Sequence, residues 1–124
     1  MKLKILLIVA LVVGVFLTVY LYTVKSPYLV TSDEAKQRIR DQKVDVVLDV
    51  RTKMEYNLGH YPEAVHIPTG NLHNFVETAI PNKDARILVY CNTGQRARYA
   101  TDLLRAKGYK NVNYIAGSYL TLLR

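Results

Sequence analysis

The sequence predicts an α/β domain in which a parallel sheet has helices on both faces. Short apolar runs that suit strands alternate along the chain with segments that have helical spacing. The strand predicted at 44–50 is apolar at Val46, Val47 and Leu48 without alternation, which is typical of a central strand covered on both faces. Strands of this kind are joined by helices that pack on the sheet, so the alternation favours an α/β domain over an all-helical or all-β one.

Local signals predict each element in turn. Thr31 and Glu34 form a capping box that begins a helix ending near residue 42, and Thr52 with Glu55 forms a second box that begins a short helix after the central strand. The other predicted elements are strands at 28–30, 65–67, 87–90 and 112–115, helices at 70–79 and 97–107, and a terminal helical turn at 117–123.

The first two dozen residues differ in composition from the rest of the chain. Residues 5–24 form a run of 20 residues without a charge, with lysines on both sides. A helix needs about 20 apolar residues to cross a bilayer core of about 30 Å. We therefore expect residues 1–25 to form an N-terminal transmembrane anchor and residues 26–124 to form one domain.

A cleaved signal sequence is the alternative interpretation of this N-terminal segment, because a basic start and an apolar middle fit both. No pair of small residues of the A-x-A type follows the apolar run, which favours retention. Lys2 and Lys4 favour a cytoplasmic N-terminus, although the lysines and arginines at 25–40 reduce the asymmetry. The expected product is a single-pass membrane protein with its domain on the periplasmic or extracytoplasmic side.

Composition argues against several classes of function. The chain has 17 Lys and Arg against 10 Asp and Glu, a net charge of +7, but the cations are scattered and match no nucleic-acid motif, so we expect no nucleic-acid partner. One cysteine excludes an intramolecular disulfide. The three histidines are His60, His66 and His73, and none has a cluster of possible metal ligands around it. We therefore predict neither a metal nor a cofactor.

The only cysteine, Cys91, lies between the predicted strand 87–90 and the predicted helix that begins near Ala97. The first amides of a helix have no intrahelical partner and the helix dipole is positive there, so a thiolate and a bound anion are both stabilised. A cysteine after an apolar strand is by itself more often a core residue. Gly94 and Arg96 in the connecting loop favour a reactive thiol.

The spacing between Cys91 and Arg96 favours sulfur chemistry over phosphate chemistry. A cysteine-dependent phosphatase needs a loop one residue longer, with arginine six positions after the cysteine, where this chain has Ala97. The shorter loop suits one extra sulfur atom on the cysteine better than a phosphoryl group. This length disfavours a phosphatase or an arsenate reductase.

Four motifs together resemble the rhodanese-like sulfurtransferase family. They are Asp49-Val50-Arg51, the segment 55–64 leading into His66-Ile67-Pro68, the loop Cys91-x-x-Gly94-x-Arg96-Ala97, and Tyr114-Ile115-Ala116-Gly117. The resemblance implies a roughly five-stranded parallel sheet. It also implies that Cys91 takes sulfur as a persulfide from a small anionic donor such as thiosulfate and passes it to a thiol or cyanide acceptor, a protein thiol being one option.

The loop residues have expected roles in such a reaction. Cys91 would be the catalytic nucleophile, and Arg96 would attract the anionic donor or fix the loop. Asp49 and Arg51 would be structural supports, as the resemblance implies. The substrate-binding residues would be those whose backbone amides hold the persulfide charge, namely Asn92, Thr93, Gly94, Gln95, Arg96 and Ala97. The alternative function is a catalytically idle module of the same fold that binds a partner at a membrane.

The chain departs from the family pattern at two places. Tyr61-Pro62-Glu63 replaces the usual Ile-x-Gly, a change expected to alter only a surface turn. Ala116-Gly117 stands where two glycines are common, and the chain has no tryptophan. Neither departure removes a catalytic group.

Overall fold

The computed structural model describes residues 1–123, so the last residue of the predicted domain, Arg124, lies outside the described residues. The helices are α1 (Lys2–Val24), α2 (Ser32–Arg40), α3 (Lys53–Leu58), α4 (Thr69–Ala79) and α5 (Gln95–Ala106). The strands are β1 (Val46–Asp49), β2 (Val65–His66), β3 (Arg86–Tyr90) and β4 (Asn111–Tyr114), and a 3-10 turn covers Tyr119–Leu122.

The strands form one parallel sheet in the order β2-β1-β3-β4. This confirms the predicted α/β class. β1 lies between β2 and β3, and both of its faces are covered, since Leu48 belongs to one core and Val47 packs against the other. Leu48, in β1, pairs with Val65 on one side and Val89 on the other, and its side chain is fully buried.

The expected count of five strands is wrong for the described residues, which contain four. The segment predicted as an additional strand makes only one bridge, between Leu29 and Tyr114. Its backbone bonds are Val30 N–H to Tyr114 O at 2.9 Å and Tyr114 N–H to Tyr28 O at 3.1 Å. The chain enters α2 at Ser32, so no further residues are left in this segment to extend the ladder.

Side chains of β3 alternate between two cores, one on each face of the sheet. Ile87 and Val89 belong to the core beneath α4 and α5, whereas Leu88 and Tyr90 belong to the core beneath α2 and the 3-10 turn. Each fully buried aliphatic side chain of this kind contributes about 1.5–3 kcal/mol relative to exposure. The two cores hold β3, and therefore the residue that follows it, in a fixed position.

Both predicted helix starts are in place, but only Thr52 and Glu55 form the full capping box, because the Glu34 carboxylate accepts from Arg38 and not from the Thr31 amide. Thr31 Oγ1 accepts from the Glu34 amide at 3.1 Å, and Thr52 Oγ1 accepts from the Glu55 amide at 3.3 Å, with the Glu55 carboxylate accepting from Thr52 N–H at 3.2 Å. The start of α5 is corrected from residue 97 to Gln95. Apolar spacing marks only the buried stripe, and the first turn of this helix is polar.

In the turn Tyr61-Pro62-Glu63, Glu63 stands at the position where the family pattern usually has glycine. Glu63 has a φ of 65°, in the left-handed region that favours glycine. Glu63 is exposed, so the side chain finds room and the backbone strain is of the order of 1–2 kcal/mol. The departure is confined to this surface turn.

Helix α1 runs for 23 residues, with a mean hydropathy of 2.8 in its most apolar window, and none of that window is buried against the rest of the chain. Its length and composition suit either a membrane span or a signal sequence. Among the described residues, the part of α1 that contacts the domain is its last turn, where Thr23 is buried.

Candidate active site

The loop that contains Cys91 connects β3 to α5 at the carboxyl edge of the sheet. β3 ends at Tyr90, Cys91 follows directly, and Gly94 is the N-cap of α5. The predicted junction of strand, cysteine and helix is therefore confirmed. This edge is where open parallel sheets bind their ligands.

The Cys91 sulfur is held inside this loop. The Gly94 N–H donates to Sγ over 3.1 Å, and only 1% of the Cys91 surface is exposed. Gly94 has a φ of 106°, which allows the loop to turn its amide towards the sulfur. Arg96 lies two residues after Gly94, and hydrogen bonding to Glu55 raises the pKa of its guanidinium.

The residues predicted to bind the substrate through their backbone amides make different kinds of contact. Among the described residues, Gly94 supplies the backbone amide that is hydrogen-bonded to the sulfur. The Asn92 amide group donates to the Glu55 carboxylate at 2.6 Å, and the Thr93 hydroxyl bonds to the Gln95 side chain. Ala97 is fully buried and packs the start of α5 on the core.

Glu55 is a site residue that the sequence analysis did not identify as one. Arg96 Nη1 donates to its Oε1 at 2.7 Å and Nη2 to its Oε2 at 3.0 Å, a bidentate pair that joins α3 to the cysteine loop. Hydrogen bonding to Arg96 holds the pKa of the Glu55 carboxyl well below its usual range. In the sequence, Glu55 is already explained as part of the capping box. That role gives no indication that its carboxylate also pairs with Arg96.

Glu55→Gln is expected to lower the KM for thiosulfate about fivefold. Glutamine preserves the capping box but removes the negative charge that is paired with Arg96. Removing one partly screened charge near a dianion changes its binding free energy by about 1 kcal/mol. Steady-state kinetics at low and high salt measure the effect, which should shrink as salt rises. Because the Glu55 pKa is lowered, its carboxylate stays charged from neutral to mildly acidic pH, so wild-type KM should not change there through this group. An unchanged KM in the variant would contradict the assignment.

Asp49 and Arg51 form a buried ion pair near the loop. Arg51 Nη2 lies 2.7 Å from Asp49 Oδ2, with 5% and 0% of the two side chains exposed. The Tyr90 hydroxyl donates to the same Asp49 oxygen at 2.6 Å, and Arg51 also donates to Gly59 O at 2.7 Å. Burial, followed by the bond to Asp49, raises the pKa of Tyr90 above its ordinary value. This network ties β1, β3 and the end of α3 together, and Arg51 Nη1 reaches Asn92 Oδ1 at 3.5 Å.

Asp49→Ala is expected to destabilise the domain by about 3–5 kcal/mol, because it leaves the Arg51 charge buried without its partner. Asp45→Ala is the matched control. It removes an aspartate–arginine pair of the same 2.7 Å length whose side chains are 44% and 47% exposed, and it should lower the thermal midpoint far less. Thermal unfolding of the two variants measures the difference. Equal losses would show that burial of the Asp49–Arg51 pair is not the deciding factor.

His60 and His66 make local contacts, whereas His73 is exposed on α4. His60 Nδ1 lies 2.9 Å from Tyr56 O, and His66 Nε2 lies 2.7 Å from Arg51 O. The Tyr56 ring stacks on both imidazoles, at 3.7 and 4.3 Å between centroids. Within residues 1–123 no group of three or more His, Cys, Asp or Glu side chains is arranged to hold a metal ion.

Comparisons with known proteins agree with this geometry. The family model for the rhodanese-like domain matches residues 31–122. Thiosulfate sulfurtransferase PspE of Escherichia coli is 33% identical over 70 residues, which cover 56% of this chain and 67% of that protein. The adenylyltransferase and sulfurtransferase UBA4 of Saccharomyces cerevisiae is 35% identical over 111 residues, and the match covers 79% of this chain but only 25% of the yeast protein.

Solved structures show the same fold. The human single-domain sulfurtransferase TSTD1 superposes with a TM-score of 0.67 over 79% of this chain and 96% of that chain, at 24% identity. A rhodanese with anions from E. coli superposes with a TM-score of 0.57 over 63% of this chain and 91% of that chain, at 31% identity. With the family model covering most of the chain and the cysteine loop in place at the sheet edge, the chain belongs to the rhodanese-like domain family.

Proposed function

We propose that this chain is a sulfurtransferase that carries a sulfane sulfur on Cys91. The observation that supports this best is the Gly94 amide directed at the Cys91 sulfur at the start of α5, with Arg96 in the first turn of the same helix. A backbone donor and a helix N-terminus stabilise negative charge on sulfur, both in the thiolate and in the persulfide.

The reaction has two halves. In the first, the Cys91 thiolate attacks the outer sulfur of thiosulfate, the sulfur–sulfur bond of the donor breaks, and sulfite leaves with the electron pair. In the second, a thiolate or cyanide attacks the outer sulfur of the persulfide, and the Cys91 thiolate is regenerated. Both halves balance without an added oxidant, reductant or metal.

Access to the sulfur requires the loop to move. Cys91 is almost completely buried, whereas the donor must touch its sulfur. The Arg96–Glu55 pair lies at the edge of the loop and is about one-third exposed, so it can open at modest energetic cost. We expect opening of this pair to precede sulfur uptake.

The N-terminal segment, residues 1–25, is proposed to remain attached as a single-pass anchor for the domain, residues 26–124. Its last turn supports this, because the Tyr114 hydroxyl donates to Thr23 O at 2.5 Å and the Gln95 side chain donates to Thr23 Oγ1 at 2.8 Å. Cleavage near residue 25 would remove both bonds from the domain. The lysines ahead of the span favour the extracytoplasmic side for the domain.

Treatment of the full-length protein with thiosulfate is expected to add about 32 Da, the mass of one sulfur atom, at Cys91. Dithiothreitol should remove the added mass, because a thiol is an acceptor in the second half-reaction. Intact-protein mass spectrometry before and after the reductant measures both steps. Because the chain has one cysteine, the added sulfur can be assigned to Cys91 without further mapping.

A binding module with an idle cysteine is the second candidate, and the 1% exposure of Cys91 is the observation that favours it. Absence of added sulfur with thiosulfate and with a sulfane-sulfur donor such as a polysulfide would decide for this function. Uptake of one sulfur decides against it.

A further inference from the structure

The last turn of α1 contacts the cysteine loop. Thr23 is 4% exposed, and its hydroxyl accepts from Gln95 Nε2 at 2.8 Å. The methyl group of Thr23 lies so close to Gly94 that a Cβ at Gly94 would be 2.7 Å from it. The end of the anchor and the loop that holds Cys91 are therefore in direct van der Waals contact.

A cavity of about 360 Å³ lies beside this contact. The anchor contributes Tyr22, α5 contributes Gln95, Arg96 and Tyr99, and the start of α4 contributes Thr69 and Gly70. The Tyr22 ring is held in place by Arg98, whose guanidinium stacks on it at 4.3 Å. The cavity thus combines two aromatic rings with Arg96, which lies two residues after Gly94, the residue whose amide donates to the Cys91 sulfur.

The position of this cavity relative to a bilayer follows from α1. The uncharged run ends at Val24, and a tyrosine near the end of a span lies at the level of the lipid headgroups. With α1 in a bilayer as the proposed anchor, Tyr22 places its wall of the cavity at the membrane surface. A molecule dissolved in the interface can reach Arg96 from there without crossing bulk water.

We propose that this cavity binds the sulfur acceptor, and that the acceptor is an amphiphilic thiol with an acidic group and an apolar chain. Arg96 attracts the acidic group, while the Tyr22 and Tyr99 rings contact the chain. The inference rests on the proposed sulfurtransferase function. The transfer is the second half-reaction above: the acceptor thiolate bonds to the outer persulfide sulfur, and the Cys91 sulfur keeps the electron pair of the broken bond.

The experiment uses the full chain in lipid nanodiscs with Cys91 already carrying sulfur. 3-Mercaptopropionate and 3-mercaptooctanoate are compared as acceptors, because both hold the thiol and the carboxylate at the same separation and differ only in the apolar chain. The wild type should transfer to the longer acid about tenfold faster, as expected when part of the added chain is buried. Tyr22→Ala and Tyr99→Ala should each reduce this preference at least about threefold.

Tyr20→Ala is the matched control. Tyr20 is a tyrosine of the same helix that is 60% exposed and does not line the cavity, so its removal should leave the preference unchanged. Simple partitioning of the longer acid into lipid would instead give the same preference in all three variants. A wild-type preference retained in both cavity variants would overturn the inference, as would equal rates for the two acids. Failure of Cys91 to take up sulfur at all would instead overturn the proposed function.

Discussion

Cys91→Ser in the full-length protein is expected to abolish the formation of thiocyanate from thiosulfate and cyanide. A serine hydroxyl is not ionised at neutral pH and cannot take up the outer sulfur of the donor as the cysteine thiolate does. The Gly94 amide would still be available to the oxygen, since the two side chains are similar in size. The loss should therefore be one of chemistry, with turnover below detection and with the fold retained.

The control for this variant is the thermal midpoint, measured on the same preparation. We expect it to stay within a few degrees of the wild type, and Cys91→Ala should behave in the same way while being equally inactive. Turnover in Cys91→Ser equal to that of the wild type would end the assignment of Cys91 as the sulfur carrier. Loss of the folded domain in both variants would make the cysteine a core residue instead.

Gly94→Ala is expected to lower both stability and activity strongly. Gly94 has a φ of 106°, and an added Cβ would lie 2.9 Å from the Ala116 Cα and 2.7 Å from the Thr23 methyl group. The positive φ alone costs about 1–2 kcal/mol, and the two clashes add a further cost of about 1–3 kcal/mol. Because the backbone must shift, the Gly94 amide moves away from the Cys91 sulfur, and sulfur uptake should fall at least about tenfold.

Gly108→Ala separates these two causes. Gly108 has a φ of 98°, but a Cβ there would meet nothing within 4 Å. This variant should therefore show only the cost of the positive φ, together with wild-type sulfur uptake. Thermal midpoints and the initial rate of mass gain measure both effects. Equal losses of stability in the two variants would mean that Thr23 and Ala116 move to make room for the added methyl group at little cost.

Features set by neighbouring residues could be predicted from the sequence. The caps at Thr31 and Thr52 depend on a side chain and an amide three residues apart, and both are present. The place of Cys91 depends on one apolar run and one helical stripe, and it was also predicted correctly. Local hydrogen bonds and hydrophobic periodicity act over a few residues, so a short window of sequence contains the information.

Features that depend on distant partners could not be predicted in the same way. Glu55 and Arg96 are 41 positions apart, and nothing near either residue indicates their pairing. The segment at Leu29 has the composition of a strand, yet it makes a single bridge because the chain turns into α2. In both cases the packing of whole elements decides which groups meet.

The sequence by itself determined that a lone cysteine stands between a buried strand and a helix, and that an uncharged run long enough to span a bilayer precedes the domain. Only the tertiary structure decided that the end of that run lies against the cysteine loop, where Thr23 binds Gln95 across 72 positions. The reason is that propensities and caps are local, whereas the contact between α1 and α5 exists only after the sheet has assembled and fixed both helices.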